Sequence, residues 1–116
     1  MVGNGAANGI DGGIIVAHQP RGSGLCQWTV TNTFIHDNWV VKNTGALAAG
    51  VFLFNTTDTA ILSGSDDRIR FQGNHYHVPD LGGRFWLLGG AATTRTWSEW
   101  QGAGNDTSGG SVVKLP

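Results

Sequence analysis

A weak internal repeat limits what this sequence can fold into more than any other feature. Residues 28–36 align with residues 69–77 at an offset of 41 residues. Three further segments, residues 13–16, 50–53 and 84–87, align with one another at offsets of 37 and 34. Repeats of this length are typical of chains that stack one short unit on the next. The sequence therefore predicts a stacked architecture with at least two strands in each unit.

Apolar residues coincide when the repeats are superposed: Trp28 with Ile69, Val30 with Phe71, and Ile35 with Tyr76. Strands from successive units can pair in parallel at about 4.8 Å, which lines up their inward side chains. The predicted inward residues are Ile14, Val16, Trp28, Val30, Ile35, Val51, Leu53, Ile69, Phe71, Tyr76, Phe85 and Leu87. Asn32 and Asn74 follow these strands, and we interpret both as turn residues whose amides hydrogen-bond along the stack.

Composition favours short strands joined by tight turns. Glycine occurs 19 times in 116 residues and charged residues make up only 13%, a balance that suits turns better than helices. Seven basic residues against eight acidic ones provide no broad positive field, so we expect no nucleic-acid partner. The absence of an 18-residue apolar run predicts a soluble chain without a membrane partner.

Three segments in a fixed order carry a family resemblance: residues 28–38, 71–76 and 96–106. With them the chain resembles the pectate-lyase-like family of right-handed parallel β-helix proteins over about residues 10 to 107. The resemblance implies an all-β, right-handed parallel β-helix (solenoid) of about three to four coils, forming one domain over residues 1–116. It also implies an extracellular protein that binds or processes polysaccharide.

The C-terminal segment has the features of a cap on such a helix. Ser98 is a suitable N-cap and Gly102 a suitable stop for a short helical turn. Trp97 and Trp100 would then cover the open end of the core. The glycine-rich N-terminal residues offer no matching cap, which favours either a fragment of a longer solenoid or a chain that associates with itself.

The outward positions of the strands that contain residues 13–16, 50–53 and 84–87 are apolar: Ile15, Ala17, Phe52, Phe54, Trp86 and Leu88. They hold no paired carboxylates, so the lyase or hydrolase chemistry of the resembling family is not carried over. A strand row that is apolar on both faces is normally buried on both. We expect a homodimer through this face. The alternatives are cover by residues 91–95 or the N-terminal segment, and a sugar-binding platform of Phe52, Phe54 and Trp86.

A histidine cluster is the only constellation whose spacing suggests chemistry. His75 and His77 project from one face of a strand, and the 41-residue offset places His36 beside His77. Three such imidazoles can hold one divalent transition metal, zinc or copper, with an open position for water. Asp37 or Asp80 would then serve as a second-shell group or general base. The alternative interpretation is that all three are surface histidines.

Asp66 and Asp67 invite comparison with the paired acids of glycoside hydrolases, but neighbouring residues point in different directions, so we interpret them as a turn. The sequence thus leaves three functions open. The first is a carbohydrate-associated protein, which rests on the family resemblance. The second is a small metal-dependent hydrolase or oxidase, and the third is a structural, self-associating solenoid fragment. It does not decide whether the chain is an enzyme.

Overall fold

The computed structural model describes residues 12–19, 30–42, 47–54, 56–66, 68–90 and 92–116. This part of the chain contains nine strands, one α-helix and one 3-10 helix. The strands are β1 (Gly12–His18), β2 (Thr33–His36), β3 (Trp39–Val41), β4 (Leu47–Leu53), β5 (Ile69–Gln72), β6 (His75–Val78), β7 (Trp86–Gly89), β8 (Thr94–Arg95) and β9 (Ser111–Lys114). The helix α1 spans Trp97–Gly102, and the 3-10 helix spans Thr59–Leu62.

The nine strands form three small sheets. The first has the order β1-β4-β7-β8, the second pairs β2 with β5, and the third has the order β3-β6-β9. Pairing is parallel throughout except between β7 and β8, which run antiparallel. Parallel pairs join strands that are far apart in sequence, so these sheets depend on long-range contacts.

The predicted right-handed parallel β-helix is wrong. The sheets are small and separate, the largest mixes parallel with antiparallel pairing, and together they form neither a solenoid nor a closed helix. The chain reverses direction after β7. Gly89 there has a φ of 120°, a conformation that glycine adopts most readily, and the Thr93 backbone amide donates to the carbonyl of Gly90 at 3.0 Å.

The strand registers also differ from the predicted offsets. Ile69 pairs with Thr33, and Phe71 with Ile35, so the spacing is 36 residues where 41 was expected; Trp28, the predicted partner of Ile69, lies outside the described residues. In the first sheet Gly50 pairs with Leu87 and not with Arg84, a shift of three residues. Strand β7 is buried at all four positions, as a strand that is apolar on both faces normally is. Trp86 and Leu88, which were expected to face outward, therefore pack in the core.

The core fills the space between the three sheets. Its largest fully buried side chains include Trp86, Trp100, Tyr76 and Phe71. Of the predicted inward residues that the structure describes, six are buried and five are half-buried against the core. The buried ones are Val51, Ile69, Phe71, Tyr76, Phe85 and Leu87, and the half-buried ones are Ile14, Val16, Val30, Ile35 and Leu53.

The helix α1 places two tryptophans against the core. Its N-cap is Thr96, two residues before the predicted Ser98. The Thr96 side chain accepts a hydrogen bond from the Glu99 amide, while the Glu99 side chain accepts from the Thr96 amide, which together form a capping box. Trp100 is completely buried, and Trp97 is half-buried and packs against the core.

Candidate ligand-binding groove

An open groove of about 430 Å³ lies on the outer face of β2 and β5. We call it the outer groove, and define it by the residues that line it: Phe34, His36, Asp37, Arg70, Gln72, Gly73 and Ser108. Strand alternation explains why these side chains face outward. Ile35 and Phe71 point into the core, so their neighbours on the same strands point to the opposite side.

Phe34 forms the apolar surface of the outer groove. Its side chain is 51% exposed, although it is a large hydrophobic residue in a regular strand. The Arg70 guanidinium carbon lies 5.0 Å from the ring centroid, which is a cation–π contact. The His36 ring lies 4.5 Å away on the same strand face, tilted by 33°. An aromatic ring is thus bordered by two nitrogen-bearing groups.

Asp37 and Gly73 form the corner where the outer groove ends. Both adopt left-handed backbone conformations, with φ of 55° and 71°. The Asp37 carboxylate lies 2.9 Å from the His36 Nδ1. A Cβ atom on Gly73 would approach the Asp37 Oδ1 to 2.9 Å, so a larger residue at position 73 would displace this carboxylate. Glycine therefore keeps the corner open.

Gln72 and Ser108 form the opposite wall. The Ser108 backbone amide donates to the Gln72 Oε1 at 3.1 Å, which fixes the orientation of the Gln72 side chain. A loop after α1 supplies Ser108, so this wall joins β5 to the C-terminal part of the chain. The outer groove therefore combines one exposed ring with hydrogen-bond donors and acceptors on three sides.

Asn74 stabilises the corner formed by Asp37 and Gly73 through hydrogen bonds on the buried side. Its Oδ1 accepts from the backbone amide and the side-chain Nδ2 of Asn38, at 3.1 and 3.0 Å. Its Nδ2 donates to the Ile35 carbonyl at 3.0 Å and to the Asp106 Oδ1 at 2.8 Å. Asn38 is the asparagine that stacks with Asn74. Asn32 has a left-handed φ of 52°, a conformation that asparagine tolerates in turns.

Asp106 anchors this network in the core. Its Oδ1 accepts from the Asn74 amide and side chain, and its Oδ2 accepts from the Tyr76 hydroxyl and the Trp100 Nε1, both at 2.8 Å. Burial, together with the nearby Asp106 carboxylate, raises the pKa of Tyr76 far above its ordinary value. The tyrosine therefore stays a neutral hydrogen-bond donor.

A second exposed aromatic residue lies on the outer face of the third sheet. Trp39 is 60% exposed. Its ring lies 4.7 Å from that of His75 and 5.6 Å from that of His77. The His75 Nδ1 also contacts the Ser111 Oγ at 2.7 Å, because His75 and Ser111 are directly paired between β6 and β9.

The structure does not bring His36 next to His75 and His77. His36 is paired with Gln72 on the second sheet, because the spacing is 36 residues and not 41, whereas His77 is paired with Val41 on the third. Within the described ranges, no group of three or more histidine, cysteine, aspartate or glutamate side chains is placed to hold a metal ion. Asp37 contacts His36, and Asp80 accepts from the Gly82 amide in a turn. The zinc or copper site stays a prediction.

The structure separates Trp86 from the other two residues of the predicted sugar platform, Phe52 and Phe54. Trp86 is completely buried, with its ring 5.5 Å from that of Tyr76, so it has no exposed face for a ligand. Phe52 and Phe54 lie 5.8 Å apart, and Phe54 is 39% exposed. The face expected to form a homodimer therefore lacks Trp86 and Leu88; the homodimer itself stays a prediction.

A cluster of ion pairs ties the end of β1 to the start of β5. Arg68 binds the carboxylates of Asp58 and Asp66, and the buried His18 lies 3.3 Å from Asp58. The hydrogen bonds from Arg68 hold the pKa values of both carboxyls below their usual range. The Arg68 amide also donates to Asp66 at 2.9 Å, as in an Asx turn; Asp67 lies outside the described residues. Since every charge has a partner, we assign the cluster a structural role.

A second groove of about 400 Å³ lies beside α1. Its lining residues are Leu62, Ser63, Leu88, Arg95, Glu99, Gly102 and Ala103. It contains no aromatic side chain, so it offers no ring on which a ligand could stack. We call it the helix groove and use it below as an internal comparison.

Sequence reasoning missed Phe34, Arg70, Gln72 and Ser108. The signal for Phe34 was present, because Ile35 was assigned to the core and strand alternation then turns Phe34 and His36 outward. The 41-residue offset masked the pairing of Phe34 with Arg70, which the 36-residue register produces. No local sequence pattern predicts Ser108, because it lies in a loop 36 residues after Gln72.

Comparison of the chain with protein-family models, with curated proteins and with solved structures gives no match.

In the part of the chain that the structure describes, no helix has the length and apolar character required to cross a membrane.

Proposed function

We propose that this protein binds neutral saccharides in the outer groove. The observation that carries the proposal is the exposed Phe34 ring, bordered by donors and acceptors of hydrogen bonds within one open groove. An exposed aromatic ring bordered by polar groups offers a surface on which the apolar face of a polar ligand can pack. A ligand that fits the outer groove presents both an apolar face and hydroxyl groups.

A sugar ring has such a face. The negative face of an aromatic ring attracts groups with a partial positive charge, and the C–H bonds on one side of a sugar ring carry such charge. Phe34 can supply this contact because half of its surface is open. The Arg70 guanidinium lies over the ring, 5.0 Å from its centroid, and half of the Phe34 surface still stays accessible.

The polar side chains suit sugar hydroxyls, which both donate and accept hydrogen bonds. Arg70 is a donor, Asp37 is an acceptor, and the Ser108 hydroxyl can act as either. One positive and one negative charge line the groove, so it has no net preference for an ionic ligand. This balance favours a neutral saccharide.

The test is binding of neutral polysaccharides by isothermal titration calorimetry, with Phe34→Ala as the decisive variant. We expect wild-type binding to at least one of a panel of glucans, mannans, xylans and galactans, and at least tenfold weaker binding by Phe34→Ala. A matched control is Leu81→Ala, because Leu81 is equally exposed at 49% but lies outside the groove. This control should bind as the wild type does.

Two results would overturn the proposal. One is the absence of binding to every member of the panel by folded wild-type protein. The other is equal affinity of wild type and Phe34→Ala, since the ring would then not contact the ligand.

A further inference from the structure

His36 and Asp37 form a carboxylate–imidazole pair in the wall of the outer groove. The Asp37 Oδ2 lies 2.9 Å from the His36 Nδ1, so the carboxylate favours the tautomer with its proton on Nδ1. The Nε2 atom then carries the lone pair and acts as a proton acceptor. It makes no hydrogen bond to any residue that the structure describes. A base held in this way by a carboxylate is one component of acyl-transfer sites.

Arg70 supplies a positive charge in the same groove. Within the described ranges it has no carboxylate partner, whereas Arg68 and Arg84 are both paired. Its guanidinium rests on Phe34, the ring to which the proposed function assigns the ligand. A fixed cation near a reacting carbonyl stabilises the negative oxygen that develops in the transition state.

The side chains that line the outer groove suit the cleavage of an ester bond in a saccharide better than the cleavage of a glycosidic bond. Cleavage of a glycosidic bond normally requires two carboxyl groups about 5 to 9 Å apart. The residues that line the outer groove include one carboxylate, Asp37. Cleavage of an ester requires a base and a stabilised oxyanion, and His36 and Arg70 match these two roles.

From this arrangement we infer that the protein hydrolyses O-acyl esters on the saccharide that it binds, with His36 as the general base. The inference rests on the proposed function, because the saccharide positions the ester beside His36. It goes beyond that function by assigning a reaction and a substrate class: a neutral saccharide that carries O-acetyl or similar groups.

The reaction uses only water as a second reactant. His36 Nε2 takes a proton from water, and the water oxygen forms a bond to the acyl carbon. The carbonyl oxygen becomes an anion facing Arg70. The bond from the acyl carbon to the sugar oxygen then breaks, and the proton on His36 passes to that oxygen. The products are a free sugar hydroxyl and a carboxylic acid, and His36 returns to its starting state.

The first experiment measures acetate release by proton NMR from acetylated xylan and acetylated glucomannan. Wild-type protein should release acetate, and His36→Ala, purified in the same way, should lower kcat about 10²- to 10⁴-fold, the usual contribution of a general base. His36→Ala should still bind the deacetylated polysaccharide, with a smaller loss of affinity than Phe34→Ala shows. Leu81→Ala should release acetate at the wild-type rate.

Asp37 is a positioning residue, and Asp37→Asn tests this role. The substitution keeps the size and the tolerance of a left-handed backbone but removes the charge that orients His36. We expect kcat to fall at least tenfold, a larger change than any rise in KM, because the asparagine amide oxygen can still accept from a sugar hydroxyl. A purely structural role would instead show as a lower melting temperature with kcat unchanged in the folded fraction.

The outcomes separate this inference from the proposed function. Binding of the polysaccharide without acetate release overturns the esterase activity alone, as does acetate release that His36→Ala leaves unchanged. Absence of binding to both acetylated and deacetylated polysaccharide overturns the proposed function and, with it, this inference.

Discussion

At the scale of single residues, a buried carboxylate determines the shape of the outer groove. Asp106 is completely buried and its side chain accepts four hydrogen bonds, two of them from Asn74. Its own backbone has a left-handed φ of 49°. Asn74 in turn holds Asn38, the residue after Asp37, in place. The position of the Asp37 carboxylate in the groove therefore depends on a contact chain that begins in the core.

The substitution Asp106→Asn should lower the free energy of unfolding by about 3 kcal/mol, because an amide group turns one acceptor into a donor and leaves buried donors without a partner. Asparagine tolerates the same left-handed backbone, so backbone strain does not contribute. Urea denaturation followed by tryptophan fluorescence measures the change. Asp80→Asn, the same chemical change at an exposed turn, should cost less than about 1 kcal/mol.

Alkaline pH provides a separate test of the same network. Tyr76 is the only tyrosine in the chain, so any tyrosinate that forms belongs to this residue. Its absorbance at 295 nm is measured as a difference spectrum against unfolded protein at the same pH, because the five tryptophans absorb there too. Because burial raises its pKa in the folded state, folding favours the neutral hydroxyl. The stabilising contribution is complete below pH 10, the ordinary value, and declines as the pH rises above it. We expect tyrosinate to appear only together with unfolding; reversible ionisation near pH 10 in the folded protein would contradict the buried hydrogen bond.

At the scale of strands and helices, the sequence predicted several inward residues and a short C-terminal helix, but not the registers. Val51, Phe71 and Tyr76 were recognised because apolar residues coincide when the repeats are superposed. The predicted registers were wrong because matching apolar residues between two repeats does not by itself distinguish an offset of 41 residues from one of 36. The contacts that fix the observed register are polar, such as the hydrogen bonds between Asn38 and Asn74.

Strand β9 lies at the edge of the third sheet, and its Lys114 opposes pairing with a further strand. Lys114 is paired with the core residue Val78, yet its own side chain is exposed. A lysine at such a position on an edge strand hinders the addition of another strand. We predict that Lys114→Val increases self-association.

Light scattering at matched concentrations checks this prediction: the mean mass of Lys114→Val should exceed that of wild type. Lys114→Arg retains the charge and should match wild type. A mass for Lys114→Val equal to that of wild type across the concentration series would show that Lys114 does not protect this edge.

At the scale of the whole molecule, each of the three sheets presents an outer face, and the proposed function depends on one of them. The family resemblance predicted a saccharide ligand, which remains the proposal, and the apolar outward positions offered Phe52, Phe54 and Trp86 as the ring contacts. The structure places Phe34 in the outer groove, with polar partners from β5 and from the loop that follows α1. Such a site assembles residues as far as 74 positions apart, Phe34 and Ser108, which no local sequence pattern describes.

The most direct test of the saccharide site is a titration of ¹⁵N-labelled protein with a neutral oligosaccharide that binds in calorimetry, followed by heteronuclear NMR. We predict amide shift changes at Phe34, His36, Arg70, Gln72 and Ser108. We predict none in the helix groove, which has a similar size but no aromatic side chain. Shift changes confined to the helix groove, or spread evenly over the surface, would contradict the assignment of the outer groove as the binding site.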